Sequence, residues 1–282
     1  MRVFVAGATG VIGHRLVPLL LFAGHEVVAL TRRERAAAGL RALGAEPVVA
    51  DALDRDAMLA AVGRARPDAV MHQLTDLSGG SSDANAALRI HGTRNLVDAA
   101  LAAGVRRIVA QSIAWAYAPG PDPASEETAL DLGAPPPRQT TIGGIAALEA
   151  AAREVPEWVV LRYGQLYGAG TWYAPDGLRA DDARAGRLTA NDDVTSFVHV
   201  DDAAAAAVAA LGWPRGAVNV CDDEPARGRD WVPVFCRAVG AEEPSANGVP
   251  RSPWARGASN RHARLELGWS PRHQSWRSGF AG

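Results

Sequence analysis

Gly7-Ala8-Thr9-Gly10-Val11-Ile12-Gly13 follows a short apolar run, Arg2–Ala6, and precedes a leucine-rich stretch. Three glycines between a strand and a helix serve a tight turn, close approach of backbone to a pyrophosphate, and helix–strand packing. The helix N-terminus then offers free N–H groups and a positive dipole end to phosphate oxygens. Gly7, Thr9, Gly10, Val11, Ile12 and Gly13 are therefore the candidate dinucleotide contacts. An NAD-binding chain carries Asp or Glu about 20 residues further on, at the end of the second strand, to hold the ribose diol. Here that place reads Thr31-Arg32-Arg33. Two guanidinium groups can fork onto a 2′-phosphate, so Arg32 and Arg33 favour NADPH/NADP+; the plain alternative is two solvated arginines opening a helix. Asp51, ending the third strand, could accept from an adenine amino group or cap a helix.

Further along, Gly168–Gly186 is glycine-rich with Trp172 and Tyr173 inside it, and reads as a flap whose aromatic rings could stack on a flat substrate or anchor a fixed loop. His199 stands beside an acidic pair and reads as structural, with Asp201 as N-cap of the alanine-rich helix that follows. Arg179, Arg184 and Arg187 would serve a sugar diphosphate, or form a solvated face. Cys221 and Cys236 fit neither a disulfide framework nor a metal spacing, so no metal site is expected and a reducing cytoplasm is the expected compartment.

These residues need a scaffold. Apolar, β-branched runs at 2–6, 26–30, 47–50, 69–73, 107–112 and 158–162 alternate with amphipathic stretches at about 11–18, 33–43, 54–64, 83–103 and 139–153. Nearly all-apolar strands separated by helices imply a parallel sheet covered on both faces. The expected fold is α/β, a doubly wound Rossmann sheet with its ligand crevice at the carboxyl ends of the strands and a small, mostly helical C-terminal substrate lobe. Residues 1–164 and 189–221 are assigned to the nucleotide domain, and 165–188 and 222–282 to the lobe and flap. Pro18 should bend the first helix, and 119–138, rich in Pro, Gly and acid, reads as a long loop.

At 282 residues, 48% hydrophobic, 21% charged and a net charge of −2, the chain is no disordered tail, and nothing in its charge invites nucleic acid or an anionic membrane. Its apolar runs fall short of the ~20 residues that span a bilayer, and its start lacks a signal-peptide layout. All 29 basic residues are arginine. With no lysine anywhere, a Schiff base or a lysine-tuned phenol is excluded. Oligomeric state is left open.

Together these motifs resemble the extended or atypical, epimerase-like short-chain dehydrogenases/reductases. The glycine turn, Gln111-Ser112 ending the fifth strand, Leu161–Gly168, Phe197–Asp202 and Leu267–Pro271 carry the resemblance, which runs along almost the whole chain. It implies that Ser112 orients or stabilises a substrate oxygen, the alternative being a hydroxyl that merely bonds backbone at the end of a buried strand, and that Tyr163 and Gly164 lie beside the nicotinamide, the alternative being Tyr163 as plain core. The family's Tyr-x-x-x-Lys pair is absent: registered on Glu149, its places hold Thr141 and Ile145. Thr141 could touch substrate, and Ile145 reads as packing. A general acid contributes ~10²–10⁴-fold, so its loss slows hydride transfer without forbidding it. The expectation is a ketoreductase acting on a polycyclic aromatic polyketide, like atypical members that reduce angucyclinones, where a neighbouring phenol stabilises the alkoxide. The alternatives are a catalytically silent NADP(H)-binding redox sensor and a nucleotide-sugar epimerase or dehydratase.

Overall fold

The computed structural model describes residues 1–77 and 82–280. Six strands appear where apolar, β-branched runs place them: β1 (Arg2–Ala6), β2 (Glu26–Thr31), β3 (Glu46–Val49), β4 (Ala69–His72), β5 (Arg107–Ile113) and β6 (Glu157–Tyr163). Short strands follow at β7 (Gln165–Tyr167), β8 (Val194–Thr195), β9 (Phe197–His199), β10 (Gly216–Val220) and β11 (Ala226–Arg227). The helices are α1 (Gly13–Phe22), α2 (Glu34–Ala42), α3 (Arg55–Ala65), α4 (Ser82–Ala87), α5 (Thr93–Ala102), α6 (Arg138–Ala152), α7 (Leu178–Arg184), α8 (Val200–Ala209), α9 (Gly228–Ala238), α10 (Arg261–Leu265) and α11 (Trp276–Gly279).

The main sheet has seven strands in the order β10-β6-β5-β4-β1-β2-β3. The β1–β2, β1–β4, β2–β3 and β4–β5 pairs are parallel. Chain progression reverses between β1 and β4, which makes their carboxyl ends the topological switch point where such sheets bind ligands. One face of the sheet buries Phe4, Val28, Val70 and Ile108 against Met58, Leu96 and Leu148 from α3, α5 and α6. The seventh strand, β10, lies outside the expected set: five residues after Pro214-Arg215 carry too short a pattern to separate from loop.

The helix expected over 83–103 is interrupted. Between α4 and α5 lies a π-helical turn, Leu88–Gly92. Thr93 just after it is fully buried and hydrogen-bonded to the His72 ring at 2.6 Å, and Asn95 donates to Ala52 O at 2.9 Å. Those bonds fix the register of α5, and the wider turn absorbs the mismatch with α4.

Two compact units emerge: 1–112 with 132–161 and 204–217, and 113–131 with 162–203 and 218–282. This partition differs from the sequence assignment by moving 113–131, 162–164, 189–203 and 218–221 to the second unit. Hydrogen bonding explains the first transfer, since Gly120 N–H donates to Pro253 O and Ala124 N–H to Gly257 O, both at 3.0 Å. Within the second unit, Tyr167, Tyr173, Phe197, Trp231, Phe235, Trp276 and Phe280 form one aromatic core.

Candidate functional site

In the first unit, the glycine turn ends β1 and feeds α1. Gly7 has φ +95°, and a Cβ there would lie 2.4 Å from Gln73 O; one on Gly13 would lie 2.2 Å from Gly7 O. Only glycine satisfies both the turn and the close packing. Gly10 N–H closes the turn on Gly7 O at 3.0 Å, and Thr9 and Gly10 are exposed. The α1 N-terminus has no side-chain cap and no acid in its first turn, so its positive end is left for an anion. Val11 is half-buried, while Ile12 is buried beneath the turn. This cradle fits a dinucleotide pyrophosphate.

Past β2, the Thr31 hydroxyl accepts from Arg33 N–H at 3.2 Å, holding the turn into α2, where Arg33 is the N-cap residue. Both arginines are exposed; Arg32 Nη1 lies 3.8 Å from Asp76 Oδ2. Asp51 is exposed, and its carboxylate accepts from Leu53 N–H at 3.0 Å. The helix-cap alternative for Asp51 is corrected: Asp54, three residues on, caps α3 by accepting from Ala57 N–H.

Ser112 fares differently from expectation. The Ser112 hydroxyl donates to Glu149 Oε1 at 2.7 Å, with both residues 1% exposed. The other Glu149 oxygen pairs with Arg153 at 3.2 Å. A free Ser112 proton waiting for substrate is therefore corrected: strand alternation turns this hydroxyl into the layer between β5 and α6, where Ala110 also packs. Glu149 serves only as a register mark in the sequence, yet it is the partner. Thr141 is half-buried in the first turns of α6, and Ile145, one turn later, is fully buried. Neither side chain titrates as an acid or base.

His72 is fully buried, and desolvation pushes its ring down to about 4. Its Nδ1 accepts from Leu74 N–H, so neutral Nε2–H donates to Thr93.

In the second unit, the Tyr163 hydroxyl donates to Ala203 O at 3.2 Å, and Gly164 N–H donates to Val220 O at 3.1 Å. Trp172 is half-buried. Tyr173 as a substrate platform is corrected, because its ring is stacked on Phe280 at 6.1 Å and meets Phe197, Trp231 and Phe235 edge-on. Burial pushes its phenol up to about 12. Arg179 and Arg187 share Asp182, and Arg184 pairs with Asp181, so each of these three arginines is engaged by an acid of α7.

His199 stacks on His273 at 3.7 Å and receives Asp201 N–H on Nδ1. Asp202, 2% exposed, accepts from the backbone N–H groups of Arg272 and His273 and pairs with His273 Nδ1 at 3.0 Å. His199, Asp202 and His273 bring ligand-type atoms within 4.8 Å of one another, a cluster the sequence spacing does not reveal. These hydrogen bonds join the C-terminal segment to α8. Asp201 lies inside the first turn of α8 and not at its N-cap. Among the described residues, no helix is long and apolar enough to cross a membrane.

The parallel sheet, its switch point and the glycine turn define a nicotinamide-dinucleotide oxidoreductase scaffold, and the chain belongs to the NAD dependent epimerase/dehydratase family, whose model matches residues 3–221. It is 48% identical over 306 aligned positions, 99% of each chain, to a 3-diazoavenalumate denitrifying reductase of Streptomyces sp.. A shorter stretch, 39% of this chain and 32% of the other, is 34% identical to a 4-hydroxy-2-methyl-3-oxo-4-farnesyl-3,4-dihydroquinoline-1-oxide ketoreductase of Stigmatella aurantiaca. Among solved structures, Thermus thermophilus UDP-glucose 4-epimerase in complex with NAD is similar at TM-score 0.74 and 26% identity, covering 100% of this chain and 97% of that one.

Proposed function

We propose that this chain is an NADPH-dependent reductase that delivers hydride to an aromatic substrate able to absorb it without a protein acid, and that the substrate is an aryl diazo compound. The observation that carries the reading is the empty chemistry of α6 and β5: Thr141 and Ile145 stand in the acid and lysine places, Ser112 is spent on Glu149, and the chain holds no lysine. Gly7–Gly13 would hold the pyrophosphate and Arg32 and Arg33 the 2′-phosphate, with Asp51 near the adenine. Bound there, the dinucleotide supplies hydride.

An aryl diazonium suits such a site. Addition of hydride to its terminal nitrogen makes an N–H bond and cancels the positive charge. The C–N and N–H bonds then break, dinitrogen leaves, and the hydrogen ends on the ring carbon in a new C–H bond. The balance is one diazonium and one hydride to one arene and one N₂, with no proton from protein or solvent. The full-length similarity to a denitrifying reductase supports this substrate class.

A phenol-flanked ketone, as in an aromatic polyketide, is the second reading. Its alkoxide would be held by the internal phenol and protonated from solvent, and the partial similarity to a ketoreductase favours it. A nucleotide-sugar epimerase is disfavoured, because it must take a proton from a hydroxyl and because the arginines at 179, 184 and 187 are already paired. Both cysteines are free and buried, which suits a reducing cytoplasm.

The experiment is direct. Purified protein with NADPH receives, in separate cuvettes, a diazotised aminocinnamic acid, an ortho-hydroxyaryl ketone and UDP-glucose. Cofactor oxidation with gas release from the first alone supports the diazo reading. Oxidation with the ketone alone supports the second. Binding of NADPH without turnover of any compound makes the chain a sensor.

A further inference from the structure

The carboxyl end of β4 carries a buried amide that bonds to none of the described residues. Gln73 follows His72 directly, and its N–H donates to Ala6 O at 2.8 Å. Its carbonyl is pressed against the glycine turn, 2.4 Å from where a Gly7 Cβ would stand. The residue is 4% exposed, and neither Oε1 nor Nε2 has a hydrogen-bond partner among the described residues. Its neighbour His72, by contrast, is bonded at both ring nitrogens.

A primary amide offers two donors and an acceptor with two lone pairs, and burying all of them unmet is unfavourable. Leucine or methionine would fill the same space without that cost. The position is the switch point between β1 and β4, beside the uncapped N-terminus of α1. The unmet amide and the unmet helix end thus share one edge of the sheet.

We infer that Gln73 is a dinucleotide-binding residue whose amide is completed by a ribose hydroxyl, a group that donates and accepts at once, as the cofactor crosses the carboxyl ends of β1 and β4. The inference rests on the dinucleotide reading of the glycine turn. A trapped water is the competing occupant.

Gln73→Leu separates them, because the amide is a cost to the free protein and a gain to the complex. NADPH affinity is read by quenching of tryptophan fluorescence, and stability of the cofactor-free protein by thermal unfolding. The expected result is a Kd raised about tenfold together with a melting midpoint raised by a few degrees. An unchanged Kd, or a midpoint that falls, overturns the inference in favour of water or plain structure. Gln73→Met is read in the same way if the leucine variant does not fold, and failure of both variants to fold also overturns it. Wild-type protein that does not bind NADPH at all would instead remove the dinucleotide reading itself.

Discussion

Ser112 donates its hydroxyl hydrogen to Glu149 at 2.7 Å, and the pair is sealed between β5 and α6. A buried carboxylate holds on to such a donor, since losing it leaves a charge with fewer bonds in a low-dielectric layer. Ser112→Ala is therefore expected to lower stability by about 1–3 kcal/mol while slowing turnover less than tenfold, with Thr141→Ala similarly mild. Urea denaturation and NADPH oxidation rates check this. A loss near the ~10⁴-fold weight of a general acid in either variant would mean that the protein does protonate its substrate.

In the proposed function, Arg32 and Arg33 carry the choice of cofactor. Charge-assisted bonds to a phosphate contribute about 1.5–3 kcal/mol each, so Arg32→Ala or Arg33→Ala should weaken NADPH by roughly 10–100-fold and leave NADH within about threefold. Titration of both cofactors against each variant measures the ratio. Equal losses for the two would show that these arginines do not read the 2′-phosphate.

Asp222 sets a pH dependence. Burial pushes its carboxyl up to about 8, against the opposing pull of the Glu224 and Trp276 N–H groups that it accepts. The folded protein then holds a proton that the unfolded chain, with an ordinary value of 3.8, has released. Stability from this group is complete below pH 3.8 and is lost as pH rises through about 8. His72 acts in the other direction: pushed down to about 4 from 6.5, it contributes above pH 6.5 and its contribution is lost toward pH 4. Thermal midpoints should accordingly fall between about pH 6.5 and 9 in wild type, and fall less in Asp222→Asn. Parallel curves for the two proteins would count against this titration.

Tyr173 separates core from substrate roles. As a core ring, Tyr173→Ala should cost about 3–5 kcal/mol, in the range of large aromatic truncations, and Tyr173→Phe should leave both stability and KM near wild type. A raised KM with unchanged unfolding midpoint would return the residue to the substrate.

Much of the scaffold is legible in local pattern. The alternation of β-branched runs with amphipathic stretches places six strands of the main sheet and anticipates the parallel pairing of β1 to β5, because these signals need only neighbours a few residues away. The glycine turn is equally local: Gly7 and Gly13 are required by backbone within the turn and by the strand beside it. The absence of lysine is a property of the sequence alone, and it removes half of the family's Tyr–Lys pair however the chain packs.

What each side chain faces was decided only in three dimensions. Ser112 and Glu149 meet across 37 residues, and Asp202 and His273 across 71. The π turn that breaks the helix expected over 83–103 answers a register fixed by His72, 21 residues before Thr93. Tyr173 looks like an exposed flap residue until Phe280 and Trp231 close over it. Gln73 reads as an ordinary strand-end residue until burial leaves its amide without a partner among the described residues. Periodicity tells which face of an element is apolar, but hydrogen bonds between distant residues depend on how elements pack, and that packing decides which polar groups are satisfied within the protein and which are left for a ligand.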